Sequence, residues 1–359
     1  MAGLSGFSYY KEITISNTNV DADLANFPVY VPIINDADIG GECLATGYDI
    51  QFADATNDNV LTFERLAGFA VTSGQANGDF YVLVPTVAGA TDTVIRCYYK
   101  KAGATDVSSP ENTFDTANGW GAVWHLEENG NPYYDATANN NDSTAGTYPD
   151  QIDGKVAKGQ DFDYASQEYI SFPSTASLNL GTSDFTISFW IKPESARTGL
   201  IITKKYNTYP YYMITQYNTG RTQFFMRDNS LHEVDISSAT GVITAGNWYH
   251  IFLTVDRDSA TGFKAAINAS FLADANPTAV LTLDNTNVCQ ISGSGTTANY
   301  DGIIDEVRVN KSFLGADWGK FEYYNSHDGH AAGNELGWGA ETATGEGVVA
   351  YVQRVIMVM

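Results

Sequence analysis

Apolar and polar positions alternate over short stretches along most of the chain. Ile13 and Ile15 alternate with Glu12 and Thr14; Val29, Val31 and Ile33 keep one parity; Ile50 and Phe52 alternate with Asp49 and Gln51. A period of two marks a strand with one buried face. Residues 80–84 and 94–99 are more continuously apolar, as in a strand covered on both faces. Asn, Asp and Gly clusters between these runs read as turns, and Pro28 and Pro32 put their strand at an edge or a bend. Further along, Ala122, Trp124 and Leu126 share a parity, and Phe185, Ile187, Phe189 and Ile191 alternate with Thr186, Ser188 and Trp190. Residues 248–255 and 302–309 are two more strong strands, while helix-length amphipathic patterns are scarce. The pattern predicts an all-β chain of two antiparallel β-sandwich modules.

The length of 359 residues fits two domains at about 150 residues each. A hydrophobic content of 43% supports real cores and excludes a disordered chain. Lys plus Arg number 19 against 42 Asp plus Glu, a net charge of −23. Nucleic-acid binding and docking on anionic membranes both need clustered cations, so both are disfavoured. Carboxylate sites for hard cations remain compatible. Three cysteines are too few for a disulfide scaffold. Cys43 and Cys97 could pair, leaving Cys289 over; three buried thiols is the simpler reading. Residues 1–10 show no basic stretch followed by an apolar one, so no secretory signal is expected there. The apolar run 348–359 is interrupted by Gln353 and Arg354 and is too short for a bilayer, so no membrane insertion is expected.

Two resemblances follow from motifs in order. Tyr9-Tyr10-Lys11-Glu12-Ile13-Thr14-Ile15, then Val20-Asp21-Ala22-Asp23-Leu24, Phe27-Pro28-Val29 and Gly47-Tyr48-Asp49-Ile50-Gln51-Phe52-Ala53-Asp54, resemble a β-rich domain of unknown function. That domain occurs in microbial surface and phage proteins, often ahead of laminin-G-like domains, and it implies no activity. After a loop at 102–118 come Trp120-Gly121-Ala122-Val123-Trp124-His125-Leu126, the Asp135-Ala136-Thr137-Ala138-Asn139-Asn140-Asn141-Asp142 loop, the Phe185 strand, Trp248-Tyr249-His250 and Gly302-Ile303-Ile304-Asp305-Glu306-Val307-Arg308-Val309. In this order they resemble the concanavalin-like, laminin-G-like jelly roll. The implied division is 1–114 for the first module, 115–325 for the jelly roll, and 326–359 for a connector and terminal strand.

Some glycoside hydrolases share this jelly roll and place two acidic residues on one face of a strand, close across a cleft. Here the nearest candidate is Asp305-Glu306, and adjacent strand residues point to opposite faces. Catalysis is therefore not expected. His327-Asp328-Gly329-His330 reads as a solvated loop. Asp305 is expected to share an apolar face with Ile303, Val307 and Val309, where an unpaired carboxylate is costly. Its partners would be backbone N–H groups or an Arg, or else Ca²⁺ held by Asp135, Asn141 and Asp305. Tyr206, Tyr209 and Tyr211, with Tyr212 and Tyr217 nearby, form a candidate glycan platform, set against ordinary strand tyrosines of mixed burial.

Residues 326–346 read as a flexible connector. The β-prone run 348–359 is expected to pair, on its own module or on a neighbouring subunit, making a homo-oligomer or an attachment to other virion or surface subunits. The expectation is a non-enzymatic phage virion protein, receptor-binding, tail-associated or head-decorating, with a cell surface or glycan as partner. A surface adhesin, or a carbohydrate-active enzyme or its binding module, is the alternative.

Overall fold

The computed structural model describes residues 4–204, 209–293, 299–329 and 335–344. Four antiparallel sheets pair into two sandwiches. The first sandwich sets Phe7–Ile15, Thr93–Lys101, Gln51–Asp54 and Val60–Leu61 in one sheet, and Leu24–Asp36, Gln75–Val87, Phe63–Arg65 and Ala70–Thr72 in the other. Ile13, Ile95 and Phe52 from the first sheet, with Val29, Phe63 and Phe80 from the second, belong to one buried core.

The second sandwich packs an eight-stranded sheet against a seven-stranded one. In the eight-stranded sheet Gly302–Asn310 lies between Lys158–Phe162 and Phe185–Pro193, followed by Tyr249–Val255 and Phe263–Ile267, and Trp120–Trp124 also pairs with Gly302–Asn310. The seven-stranded sheet runs Ala145–Thr147, Tyr169–Phe172, Cys289–Ile291, Gly199–Lys204, Tyr211–Gln216, Thr222–Arg227, Glu233–Ser237. Phe185, Ile187, Phe189 and Ile191 point into the core between the sheets, as the alternation predicts. Thr186, Ser188 and Trp190 are also buried, because the other face of this sheet is covered too.

The cover is the first sandwich plus the helix Gly315–His327. Phe27 packs on Trp318 and Phe321 with ring centroids 4.5 and 5.0 Å away, and Phe114, Trp120, Phe252 and Val156 join the first module's core. One strand edge is sealed by a side chain. Leu24–Asp36 lies at the edge of its sheet, and the Asn325 amide both accepts from Tyr30 N–H at 2.7 Å and donates to Tyr30 C=O at 3.1 Å. Tyr30 sits between Pro28 and Pro32, which carry no N–H, so this edge offers few backbone donors and Asn325 takes up the pair at its centre.

The connector expected at 326–346 is in part something else. Leu336–Trp338 and Thr342–Ala343 add to the first module's sheet beside Phe7–Ile15, with Trp338 opposite Ile13 and Ala343 opposite Tyr9. Edge pairing is made by backbone groups, so a Gly- and Ala-rich composition hides it. The helix Gly315–His327 also runs across the expected boundary at 325. The run 348–359 and His330 lie outside the described residues. Cys43, Cys97 and Cys289 are free thiols, the first half-buried and the others buried. Among the described residues no helix is long and apolar enough to cross a membrane.

Candidate functional site

The densest polar chemistry lies where the two sandwiches meet. His125 follows the strand Trp120–Trp124 and turns away from the core that holds Trp124 and Leu126. Its Nδ1 lies 2.8 Å from Glu306 and its Nε2 lies 3.0 Å from Glu64 of the first module. Both ring nitrogens face carboxylates, so both donate and the ring is an imidazolium. Burial opposes that charge, but Glu306 and Glu64 outweigh it and hold His125 well above its ordinary value. Glu306 also accepts from Arg308 at 2.7 Å, and Arg308 reaches Glu322 of the helix at 3.1 Å. Burial works against the Glu306 charge as well, yet His125 and Arg308 hold its carboxyl down at about 2. Tyr81 stacks on His125 and lies under the Arg308 guanidinium. These groups are paired and enclosed, which suits a clamp between modules.

The strand Gly302–Asn310 corrects one expectation. Trp190 stands opposite Asp305 and Ser188 opposite Arg308, with a register shift between them. Glu306 takes a left-handed φ of 55° at that irregularity. The parity therefore flips. Ile304, Val307 and Val309 face the core, while Asp305, Glu306 and Arg308 all face the first module. Asp305 does not share a face with Val307 and Val309, and Asp305 and Glu306 do not point to opposite faces. The two carboxyls stand on one side of the sheet, but each is held by its own partners and covered.

Asp305 Oδ2 accepts from Lys155 N at 2.7 Å and Val156 N at 2.9 Å, the backbone alternative of the two expected partners. Glycines make the room: a Cβ on Gly154 would come 2.6 Å from Asp305 Oδ2, and one on Gly159 3.2 Å from Asp305 Cβ. Burial, with Glu306 adjacent, holds the Asp305 carboxyl well above the usual carboxylate range. Asp135 and Asn141 do meet. Asp135 Oδ1 accepts from Val123 N and Thr137 N, and its Oδ2 from Asn141 N, Asn141 Nδ2 and Thr137 Oγ1. Asp305 shares none of these partners. A carboxylate encircled by N–H and O–H hydrogens is the reverse of a cation cage, so these three residues do not fit Ca²⁺. Among the described residues no group of three or more His, Cys, Asp or Glu could hold a metal ion.

The tyrosine platform is narrower than expected. Tyr206 lies outside the described residues. Tyr211 is buried, with its ring between those of Tyr209 and Phe225 at 5.8 and 5.3 Å. Tyr209 is 37% exposed and carries the Arg227 guanidinium over its ring at 4.5 Å. A second exposed ring was missed. Tyr134, 57% exposed, edges a cleft of about 320 Å³ between the modules, together with Glu64, Glu111 and Asn140. Glu64, Arg308 and Glu322 were also missed. The signal available for Arg308 was its place on a strand with no solvent-facing side.

The double-sheet architecture of the second sandwich is that of a concanavalin-like jelly roll. Residues 164–318 match the family described as the concanavalin A-like lectin/glucanases superfamily, so this stretch is similar to a laminin-G-like domain. Among solved structures, the binding domain of Paraclostridial Mosquitocidal Protein 1 is similar at 19% identity and a TM-score of 0.50, over 57% of this chain and 52% of that one. The botulinum neurotoxin serotype G binding domain is similar at 13% identity and a TM-score of 0.48, over 57% and 50%. Domain 4 of AbnA, a GH43 extracellular arabinanase from Geobacillus stearothermophilus in complex with arabinotriose, is similar at 18% identity and a TM-score of 0.44, over 56% and 96%. The chain spans about half the length of the two toxin binding domains it matches. At these identities the likeness is one of fold. No curated protein matches the sequence.

Proposed function

We propose that this chain is a non-catalytic recognition protein that holds glycans at a cell surface. The observation that carries the reading is the division of labour between the jelly roll's two sheets. Glu306 is held by Arg308 and by His125, which reaches Glu64 of the first module, and Asp305 by the Lys155 and Val156 backbone, whereas among the described residues no strand or helix of the first module packs on the seven-stranded sheet, which presents Tyr209 on its outer face. The lectin-superfamily match at 164–318 supports the same reading. A glycan array run beside a polysaccharide hydrolysis assay tests it: binding without turnover is expected, and turnover overturns it.

The setting we propose is a virion, with the chain as a receptor-binding, tail-associated or head-decorating subunit and the run 348–359 as the strand that assembles copies. The resemblance of the first module to domains of phage and surface proteins supports this setting. Mass spectrometry of purified particles that finds the chain agrees with it; recovery from a bacterial envelope favours an adhesin. A truncation ending at Gly345 is expected to lose assembly, and normal assembly removes the role of the strand.

A further inference from the structure

A row of alternating charges runs from the helix Gly315–His327 to the junction of the modules and stops at a cleft. Glu322 accepts from Arg308 at 3.1 Å, and Arg308 donates to Glu306 at 2.7 Å. Glu306 lies 2.8 Å from one ring nitrogen of His125, and the other ring nitrogen lies 3.0 Å from Glu64 Oε2. Three carboxylates alternate with two cations, and the row ends on a carboxylate. The second oxygen of Glu64, Oε1, takes no hydrogen bond among the described residues and is not sealed from solvent. Glu64 is 8% exposed and lines the cleft of about 320 Å³ that Tyr134 edges, so that oxygen is reached from the cleft.

The strand Phe63–Arg65, the short helix Pro110–Thr113 and the loop after Trp120–Trp124 form the walls. The volume lies at the lower end of the range of about 300–1,000 Å³ typical of ligand sites. No described lining residue is Lys, Arg or His, so nothing in the cleft completes the row. Arg65, next to Glu64 on the strand, turns away to Asp106 at 2.6 Å. Glu111 brings a second, exposed carboxylate to the lining. Asp135 does not act as a third, because N–H and O–H donors already take both of its oxygens. Tyr134, Pro110 and Ala136 supply apolar wall, with the Tyr134 residue 57% exposed. An aromatic face beside carboxylates suits a ligand with a carbon stem and a cationic head.

We propose that this cleft takes a primary alkylammonium group, its –NH3⁺ donating to Glu64 Oε1 and its stem lying along Tyr134. The head group becomes the next cation in the row and has donors to spare for Glu111. A guanidinium fork engages both oxygens of a carboxylate, but His125 already holds one oxygen of Glu64; an ammonium is a point charge and needs only the other. A metal ion does not fit, since among the described residues no group of three or more His, Cys, Asp or Glu could hold one. The ammonium comes from a lysine side chain of a partner chain or from a free alkylamine. This site goes beyond glycan recognition and does not rest on it.

The test titrates the intact chain by ligand-observed NMR with Nα-acetyl-lysine methylamide and pentylamine. Nα-acetyl-arginine methylamide and pentanol are the comparison probes. Both amines are expected to bind and pentanol to stay silent. Glu64→Gln is expected to weaken the amines about tenfold or more, and Glu111→Gln and Tyr134→Ala about threefold each. Glu64 also belongs to the clamp, so the two substitutions at exposed positions carry the test if Glu64→Gln fails to fold. Tighter binding of the lysine derivative supports the site and makes its source a partner chain; equal binding supports it and makes a free amine sufficient. Amine binding that survives all the variants overturns the site, because it reports only attraction to the net charge of −23. Pentanol binding as well as pentylamine, or the arginine derivative binding more tightly than the lysine one, overturns the assigned head group. Silence to both amines overturns the proposal and leaves glycan recognition untouched.

Discussion

The two outer faces of the jelly roll come from the same kind of alternation and end in opposite environments. On the eight-stranded sheet, Ser188, Trp190, His250, Asp305, Glu306 and Arg308 look outward and are buried under the first module and the helix Gly315–His327. On the seven-stranded sheet, Arg227 and Glu233 look outward and pair at 3.2 Å with side-chain exposures of 24% and 51%. An ion pair of the same chemical type therefore has two values. Where water is excluded, each charge depends on its partner; where water has access, the solvent replaces it. The covered face holds the molecule together, while the other carries solvent-accessible charges such as Arg227 and Glu233.

The largest test of that contrast is a pair of substitutions. Arg308→Met removes the cation that Glu306 and Glu322 share, and is expected to cost about 3–5 kcal/mol in urea unfolding. Arg227→Met on the open face is expected to cost less than about 1 kcal/mol. Equal losses would show that the first module does not dry the covered face. Asn325→Ala is expected to rank next, at about 1–3 kcal/mol, because it strips partners from the buried Tyr30 backbone. A neutral result there would mean that water reaches the Tyr30 edge and the module junction is open.

Two histidines on the covered face sharpen the comparison through pH. His125 is raised by its glutamates, so its contribution is complete below about 6.5 and is lost as pH rises through its raised value. Glu127 acts in the same direction: burial pushes its carboxyl up to about 8, so stability falls as pH rises toward and through that value. His250 behaves in the opposite sense. Burial, with Arg308 nearby, holds it down at about 3, and its Nε2 is 3.9 Å from Glu322, beyond hydrogen-bond length. Its contribution is present above about 6.5 and is lost as pH falls toward 3. Urea midpoints at pH 5, 7 and 9.5 are expected to fall from 7 to 9.5, where His125 and Glu127 act together, and to change less between 5 and 7, where Glu127 opposes His250. His125→Gln should flatten the alkaline limb, and His250→Phe should uncover the Glu127 fall between 5 and 7. A level profile in the unaltered chain would remove the ionised His125 clamp.

Much of the sandwich architecture was legible in the sequence, because a strand states its buried face by its own alternation. Phe185 to Ile191 and Ala122 to Leu126 are the clear cases. What escaped is non-local or carried by backbone. The flip at Glu306 is a local φ choice that composition does not encode, and it reversed the assignment of Asp305. Glu64 meets His125 across 61 residues of sequence, and Trp338 meets Ile13 across most of the chain. Asp305 shows how near a sequence reading can come: the need for a partner was visible, and backbone N–H groups were one of the two partners weighed. What decided between them was the hairpin with Gly154 and Gly159, far away in sequence.

The smallest effect on stability is expected at Tyr209, and it bears most directly on what the open face does. Its ring covers Tyr211 on one side and carries Arg227, but it is more than a third exposed, so Tyr209→Ala should change stability by no more than about 0.5–1 kcal/mol. If the open face is a recognition surface, the same substitution should reduce signal on a glycan array, since an exposed ring offers a flat apolar face to a sugar. Tyr134→Ala, at the cleft between the modules, is the matched control: an exposed tyrosine of the same chemistry away from the open sheet. Loss of array signal at Tyr209 with retention at Tyr134 locates recognition on the seven-stranded sheet. The reverse result would move it to the module junction and break the contrast between a structural face and a binding face.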